Sequence, residues 1–497
     1  MASSLPATVN HGILNFPGGT PESKATIERL LAEDREKHHC FFGKIGLHNH
    51  LSHHLLASYD LGAPTKLLEA TYQAEATNQS PIHLADRAKG LVEQQPIKIT
   101  ADNWTEYLGQ EKYYARYVEF YTAEVSARGA AEALETLVFS PAANRDGALM
   151  LLRFVGGAAH PFIQTGTPRI SQYGVEFGSD AMVAQALAQT AVHKPFVPEL
   201  FDVSSDTDAL PNVNAQTPVG QPLLAILRQV YDSDILKPVM PYDNNALLSA
   251  RIRDASMDGR PAEIRRLSAL WGVHCQLQPH EFDKKVEELF WVATLLMAGT
   301  SKPGRKPRLD FFLMHILNAT LFLPSLLKAI PNPESKAKLL NAYLPVILMY
   351  VEVRGRPRID PELTMSYTST PQPPEATAHL NPHPSGYGNP LDLDFINPWP
   401  AIISSVLHAP DAHTVKAIRA LYYAAQHYGS TPAGDVPGAV DKQGKETHNG
   451  IGKLDGTVFV RAAGVVMDQL GWVTHGQPAG KWDASALGWD DAWKNGD

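Results

Sequence analysis

Histidines stand inside the apolar helical stretches of this chain rather than in its loops, and that placement constrains what it can fold into and do. The stretch Leu47-His-Asn-His-Leu-Ser-His-His-Leu-Leu56 holds four of them within seven residues. On a helix, His50 and His54 stand four apart and share a face, and His53 is three from His50. His160 lies in Gly156-Gly-Ala-Ala-His-Pro161. The small residues allow close backbone approach, and Pro161 restricts His160 to a non-α conformation or a helix start. His315 is surrounded by apolar residues, with Asn318 one turn on and placed to hold its ring. Pro410 and Asp411 suit a helix start before His413. In that helix Val415, Ile418, Tyr422 and Ala425 form the apolar face. His413 and Lys416, three apart, project together from another face, which Ala420 and His427 continue.

With 44% hydrophobic and 19% charged residues in 497, the chain can bury a sizeable core. A net charge of -9 with both signs dispersed argues against nucleic acid as a partner. The two cysteines, Cys40 and Cys275, supply neither a disulfide framework nor a cysteine-rich zinc site, which fits a reducing, cytoplasmic compartment. Met1 to Thr20 lacks the basic and apolar order of a signal peptide. Phe311 to Leu327 contains His315, Asn318 and Pro324 and is short for a membrane span, so it reads as a core helix.

Helical periodicity recurs from Thr26–Lys37 through Ala130–Phe154, Asp180–His193, His280–Ala298 and Leu339–Val353 to Thr457–Leu470, while strand signals are few. The expected fold is all-α: one large helical domain over 23–497 behind a flexible arm at 1–22, with long Pro/Gly-rich loops. Residues 361–400 are Pro-rich and read as a long ordered loop, a lid or a linker. The aromatic series from Trp104 to Tyr121 is expected to be core packing.

Several chemistries lack their signatures. No Gly-x-Gly-x-x-Gly follows a strand, and there is no Walker loop, nucleophile elbow, Cys-x-x-Cys or His-Glu-x-x-His. The nitrogen-rich segments suit iron, zinc, copper or nickel. Neutral histidines alone leave a divalent charge uncompensated. A buried lysine loses its proton readily, and the neutral amine of Lys416 can add carbon dioxide to become an anionic carbamate. The ordinary alternative is a charged Lys416 on a solvated face.

Asn49-His-x-x-His-His-Leu-Leu56, His160-Pro-Phe-Ile163, Asp310-Phe-Phe-Leu-Met-His315, Arg354-Gly-Arg-Pro357 and Asp411-x-His-x-x-Lys-x-x-Arg-Ala-Leu421 together resemble the fungal questin oxidase family, in the same order from about residue 40 to residue 470. The resemblance implies ring opening of anthraquinones in polyketide metabolism by a Baeyer–Villiger-like oxidation, with dioxygen and a small aromatic polyketide as partners. It also implies a mononuclear non-haem Fe(II) held by His54 (in preference to His53 or His50), His160, His315, His413 and carbamylated Lys416. The missing dinucleotide fingerprint argues only against a Rossmann mode of binding NADPH. Relatives pass almost directly from the His-Pro segment to Gly-Tyr-Gly; here residues 167–172 separate Gly166 from Tyr173, an insertion expected to reshape the pocket beside His160.

Two rivals remain from the sequence. His48-Asn-His50 imitates the strand end of amidohydrolase-type metal hydrolases, which use a carbamylated lysine and require an eight-fold β/α barrel. A non-catalytic helical scaffold would hold the same histidines as structural groups.

Overall fold

Helices form where the apolar spacing places them, and their ends are set by local chemistry. In the computed structural model, the residues described are 9, 12–86, 89, 91–92, 97–165, 178–201, 220–374, 383, 385–389 and 392–494. They are predominantly helical. The strands among them are two short antiparallel ribbons, Phe41–Phe42 with Leu47–His48 and Leu84–Asp86 with Leu91–Val92. The described residues therefore do not form the barrel that an amidohydrolase-type site requires.

The chain divides into two compact units: residues 1–220, 249–286 and 321–350 make the first, and residues 221–248, 287–320 and 351–497 the second. In the first, the Pro21–Lys37 helix starts at a reciprocal cap in which Thr20 and Ser23 each bond the other's backbone N–H. Helices Leu51–Asp60 and Thr65–Ala76 pack against it and each other. Part of the expected arm is tied down: Asp60 accepts from Asn15 N–H at 2.8 Å through Oδ1 and from Phe16 N–H at 2.8 Å through its carbonyl. The Tyr114–Arg128 helix, burying Tyr117, Phe120 and Tyr121, packs along Asp180–Val192. Between them the expected helix over Ala130–Phe154 is broken into Ala130–Leu134, a π-turn at Glu135–Phe139 and Met150–Phe154. Pro141 opens a short 3₁₀ turn in the gap and Gly147 takes φ +79°, each a natural interruption of helix.

In the second unit, helix Ala412–Tyr428 packs against Phe311–Thr320 and Val458–Leu470. Twelve of its seventeen residues are buried, and they include His413, Lys416 and Arg419, so these three polar side chains point into protein. The expected core helix Phe311–Leu327 ends at Thr320, and the helix that follows, Leu323–Ala329, belongs to the first unit. Phe311–Ala329 is long and apolar enough to cross a membrane by composition, but 78% of its apolar 18-residue window is buried within the protein. The start of the Phe311–Thr320 helix is fastened by a late strap: Phe311 N–H donates to Asp483 O and Asp483 N–H to Leu309 O, both at 2.8 Å. Arg308 also grips the Asp483 carboxylate, Nε to Oδ2 at 2.8 Å. In the segment 361–400, Pro361–Ser366 is a helix capped by Asp360. Residues 375–382, 384, 390 and 391, like the insertion at 167–172, lie outside the described residues.

Candidate functional site

In the first unit, His160 is presented by a tight backbone turn. Gly157, Ala158 and Ala159 take φ of +56°, +54° and +61° in succession. A Cβ on Gly157 would stand 2.4 Å from Nε2 of His193, so only glycine fits there. The two alanines in left-handed conformation cost roughly 1–2 kcal/mol each, and the Ala158 N–H is held by the Tyr350 hydroxyl at 3.0 Å. His160 then opens the His160–Gln164 helix with Pro161 in its first turn, the helix-start alternative read from the sequence. Its Nδ1–H donates to Gly157 O at 2.5 Å, which leaves Nε2 as the lone-pair atom.

Nε2 of His50 lies 2.8 Å from Nε2 of His160. Two lone pairs repel at that distance, so a proton or a cation must sit between them. Two nitrogens bound at about 2.0–2.1 Å to adjacent positions of one metal stand about 3 Å apart, and the pair fits that spacing. His50 reaches this position because the ribbon ends at His48 and the helix begins only at Leu51, whose N–H is bonded by Asn49 Oδ1 at 2.9 Å. His50 is thus the cap residue, outside the face on which helical spacing would align it with His54. The structure places His54 differently: its Nδ1 pairs with the Glu75 carboxylate, and its buried Nε2 makes no hydrogen bond among the described residues. The His53 ring lies 6.4 Å from that of His160, centroid to centroid.

A further pair supports His160. The His48 ring stacks on it at 3.8 Å with a 4° tilt, and His48 Nε2 is 2.8 Å from Nε2 of His193. Burial pushes the His193 pKa down to about 4, with the Arg153 charge adding to the effect. Neutral His193 donates from Nδ1 to Gln189 O at 2.6 Å, so its Nε2 accepts from His48. Nothing local in the sequence marks His193, which closes an alanine-rich helix 145 positions from His48.

The second unit holds His315, His413 and Lys416. Asp411 Oδ1 accepts from the His413 backbone N–H and from its ring Nδ1–H, each at 2.8 Å. Burial raises the Asp411 carboxyl, but the His413 hydrogen bonds and charge, with Lys416, outweigh it and hold the pKa at about 2. His315 donates from Nδ1 to Phe311 O at 2.7 Å. Asn318, expected to hold that ring, turns to the Met314 sulfur instead, because the carbonyl four residues back is already in place. The His315 and His413 rings are 4.8 Å apart. Burial, then the charges of His413 and Lys416, keep His315 well below its ordinary pKa and so neutral. Lys416 is 2% exposed, one turn beyond His413. Two sequence motifs meet nearby: Arg354 Nε donates to Asp310 Oδ2 at 2.7 Å, with both side chains at most 1% exposed. Asp310 Oδ1 caps the His315 helix by accepting from Phe312 and Leu313 N–H.

The donor chemistry therefore fits a metal. His160 and His315 each spend Nδ1–H on an oxygen and keep Nε2 as a ligand atom, and His413, whose Nδ1–H is held by Asp411, offers Nε2 likewise once a metal displaces the second ring proton, the arrangement common to metal-bound imidazole.

Comparison with known proteins gives the chain a family. The profile of the questin oxidase-like family matches residues 47–421. The chain is 28% identical to a Baeyer-Villiger oxidase of Paecilomyces divaricatus over 84% of this chain and 82% of that protein. It is 28% identical to a questin oxidase of Aspergillus fumigatus over 68% and 72%, and 24% identical to a Baeyer-Villiger monooxygenase of Cryptosporiopsis over 84% and 85%. These relatives, all from fungi, are named oxidases and monooxygenases, and this chain is an oxidoreductase like them: it belongs to the questin oxidase-like family.

Proposed function

We propose that this enzyme opens the ring of an anthraquinone-type polyketide by inserting oxygen beside a ring carbonyl, as the names of its relatives suggest. A non-haem Fe(II) is held by His160, His315, His413 and carbamylated Lys416, with His50 in the place first assigned to His54. The observation that carries the ligand set is the shared tautomer of His160, His315 and His413, each with its Nδ1 bound to oxygen. The 2.8 Å approach of His50 to His160 favours His50 over His54.

Bound iron would supply the activation of dioxygen. The protein's own part is to fix and tune the ligands. The Gly157 and Phe311 carbonyls and the Asp411 carboxylate hold the imidazoles in one tautomer, and Asp411 adds negative charge behind His413. As a carbamate, Lys416 would exchange its positive charge for an anionic oxygen and balance a divalent ion among neutral nitrogens. The lid role expected of residues 361–400, enclosing a flat substrate and excluding water, belongs to the same proposal, as does NADPH as an electron source.

Elemental analysis of anaerobically purified protein tests it. About one iron per chain, absent from both Lys416→Ala and His160→Ala, joined to oxygen-dependent turnover of an anthraquinone, supports the reading; comparing turnover with and without NADPH settles the electron source. Zinc in its place with hydrolytic turnover moves the assignment to a hydrolase, and absence of any metal returns the histidines to a structural role.

A further inference from the structure

We propose that a cavity in the first compact unit, built on Arg153, binds a small aromatic carboxylate. The cavity measures about 480 Å³. Its walls come from the Trp104–Tyr107 turn, the π-turn at Glu135–Phe139 and the loop that leads into the Met150–Phe154 helix. That volume suits a small organic ligand.

Arg153 is 6% exposed, and among the described residues no carboxylate pairs with it. Its Nε donates to Ala148 O at 2.6 Å and its Nη1 to His193 O. Nη2 makes no hydrogen bond among the described residues, and it is not sealed from solvent. Two of the five N–H donors of a guanidinium are thus spent on carbonyls, which carry no net charge, and the rest remain. Burial pulls the Arg153 pKa down to about 10, against an opposing effect of Tyr117 and Tyr121, so the group stays charged at neutral pH. A buried cation that meets only carbonyls gives up hydration without gaining a counter-ion. A carboxylate entering the cavity supplies that ion and accepts from the guanidinium fork.

The other charged groups of the lining are exposed. Arg145 Nε stands 3.6 Å from Asp146 Oδ2, with side chains 69% and 90% exposed, and Glu106 is exposed as well. Salt screens charges so placed, and a buried charge much less, so Arg153 sets the charge preference of the interior. Trp104, Leu108 and Leu137 give the lining an apolar part. A doubly charged phosphate would face one guanidinium and two exposed carboxylates. An aromatic monocarboxylate matches the single charge and sets its ring against the tryptophan and the two leucines.

The backbone around the cavity is held in uncommon conformations. Asp146 and Leu149 take φ of +54° and +48°, and the π-turn carries Leu137 into the lining. Left-handed residues and π-turns concentrate at ligand sites. Asn144, 1% exposed, ties these walls together: its Nδ2 donates to Val138 O at 2.7 Å, and its Oδ1 accepts from Leu151 N–H at 2.9 Å. The cavity is therefore formed before a ligand arrives, which lowers the ordering cost of binding.

Calorimetric titration of the full chain with benzoate, benzyl alcohol and inorganic phosphate tests this. Benzoate is expected to bind saturably, with benzyl alcohol and phosphate each about tenfold weaker or more. Arg153→Met should bring benzoate down to the affinity of benzyl alcohol. Ala142→Trp, at an exposed position of the lining, keeps Arg153 and should block benzoate by bulk alone, so the test stands even where loss of Arg153 costs the fold. No saturable benzoate binding, equal affinity for benzoate and benzyl alcohol, or unchanged benzoate affinity in Ala142→Trp with unaltered helical circular dichroism overturns the proposal. Phosphate binding tighter than benzoate overturns the ligand class.

Discussion

A single oxygen, Asp411 Oδ1, holds both the backbone N–H and the ring Nδ1–H of His413, each at 2.8 Å. The helix cap and the tautomer of a proposed ligand are thus one interaction. In Asp411→Asn the amide oxygen can keep the cap but not the charge, so iron affinity should fall about 10- to 100-fold with little change in melting temperature. Asp411→Ala should lose the affinity and, with the cap, about 1 kcal/mol of stability. Chelator competition and thermal melts measure the two effects separately; equal iron affinity in all three proteins would show that Asp411 is only a cap.

His50 and His54 should separate cleanly. His50→Ala is expected to abolish bound iron. His54→Ala should retain about one iron per chain but lose stability, since the Glu75 carboxylate loses its imidazole partner. Iron stoichiometry decides between them, and the reverse pattern would make His54 the ligand.

The Asp310–Arg354 pair is buried on both sides. Asp310→Ala leaves a guanidinium without its counter-charge and removes the caps on Phe312 and Leu313. A loss of about 3–5 kcal/mol in urea unfolding is expected. A change below 1 kcal/mol would mean that solvent reaches Arg354 readily.

Acid should weaken the fold before it touches most carboxylates. His193 and His448 both have folded pKa values near 4 against an ordinary 6.5. Between those values the unfolded chain binds protons that the folded chain refuses, so their stabilising contribution is full above about pH 6.5 and is progressively lost as pH falls toward 4. Each histidine contributes at most about 3 kcal/mol. Denaturation midpoints at pH 7.5 and 5 check this, and His448→Gln should flatten the decline; an unchanged slope in that variant would rule His448 out as a contributor.

Much of this was legible where a local rule acts alone. Pro161 left His160 a helix start as one of two options, and Asp411 marked the residue before its helix, because caps and prolines act within one turn. The stretch Cys40–Ala63 was harder. A ribbon of two residues per strand, turned at Gly43 and Gly46 with φ of +63° and +74°, is too short to leave a period in the sequence. That hidden ribbon moves the helix start to Leu51 and decides the place of His50. Contacts such as His48 with His193, or Arg354 with Asp310, join residues 145 and 44 positions apart, and no spacing rule reaches that far. The buried setting of Lys416 was equally hidden, since a helix packed on two sides shows the same local pattern as one with a wet face.

The strap from Asp483 to Leu309 and Phe311 also orders events during biosynthesis. Arg308 emerges from the ribosome 175 residues before the carboxylate that grips it. Until then the first turn of the His315 helix has no backbone partner on that edge. A nascent chain stalled short of Asp483 would carry an unfastened His315 helix and an apolar segment in search of cover. Chaperone capture should therefore concentrate on that late interval of translation, and loss of the strap should appear in cells as low yield before it appears as low turnover.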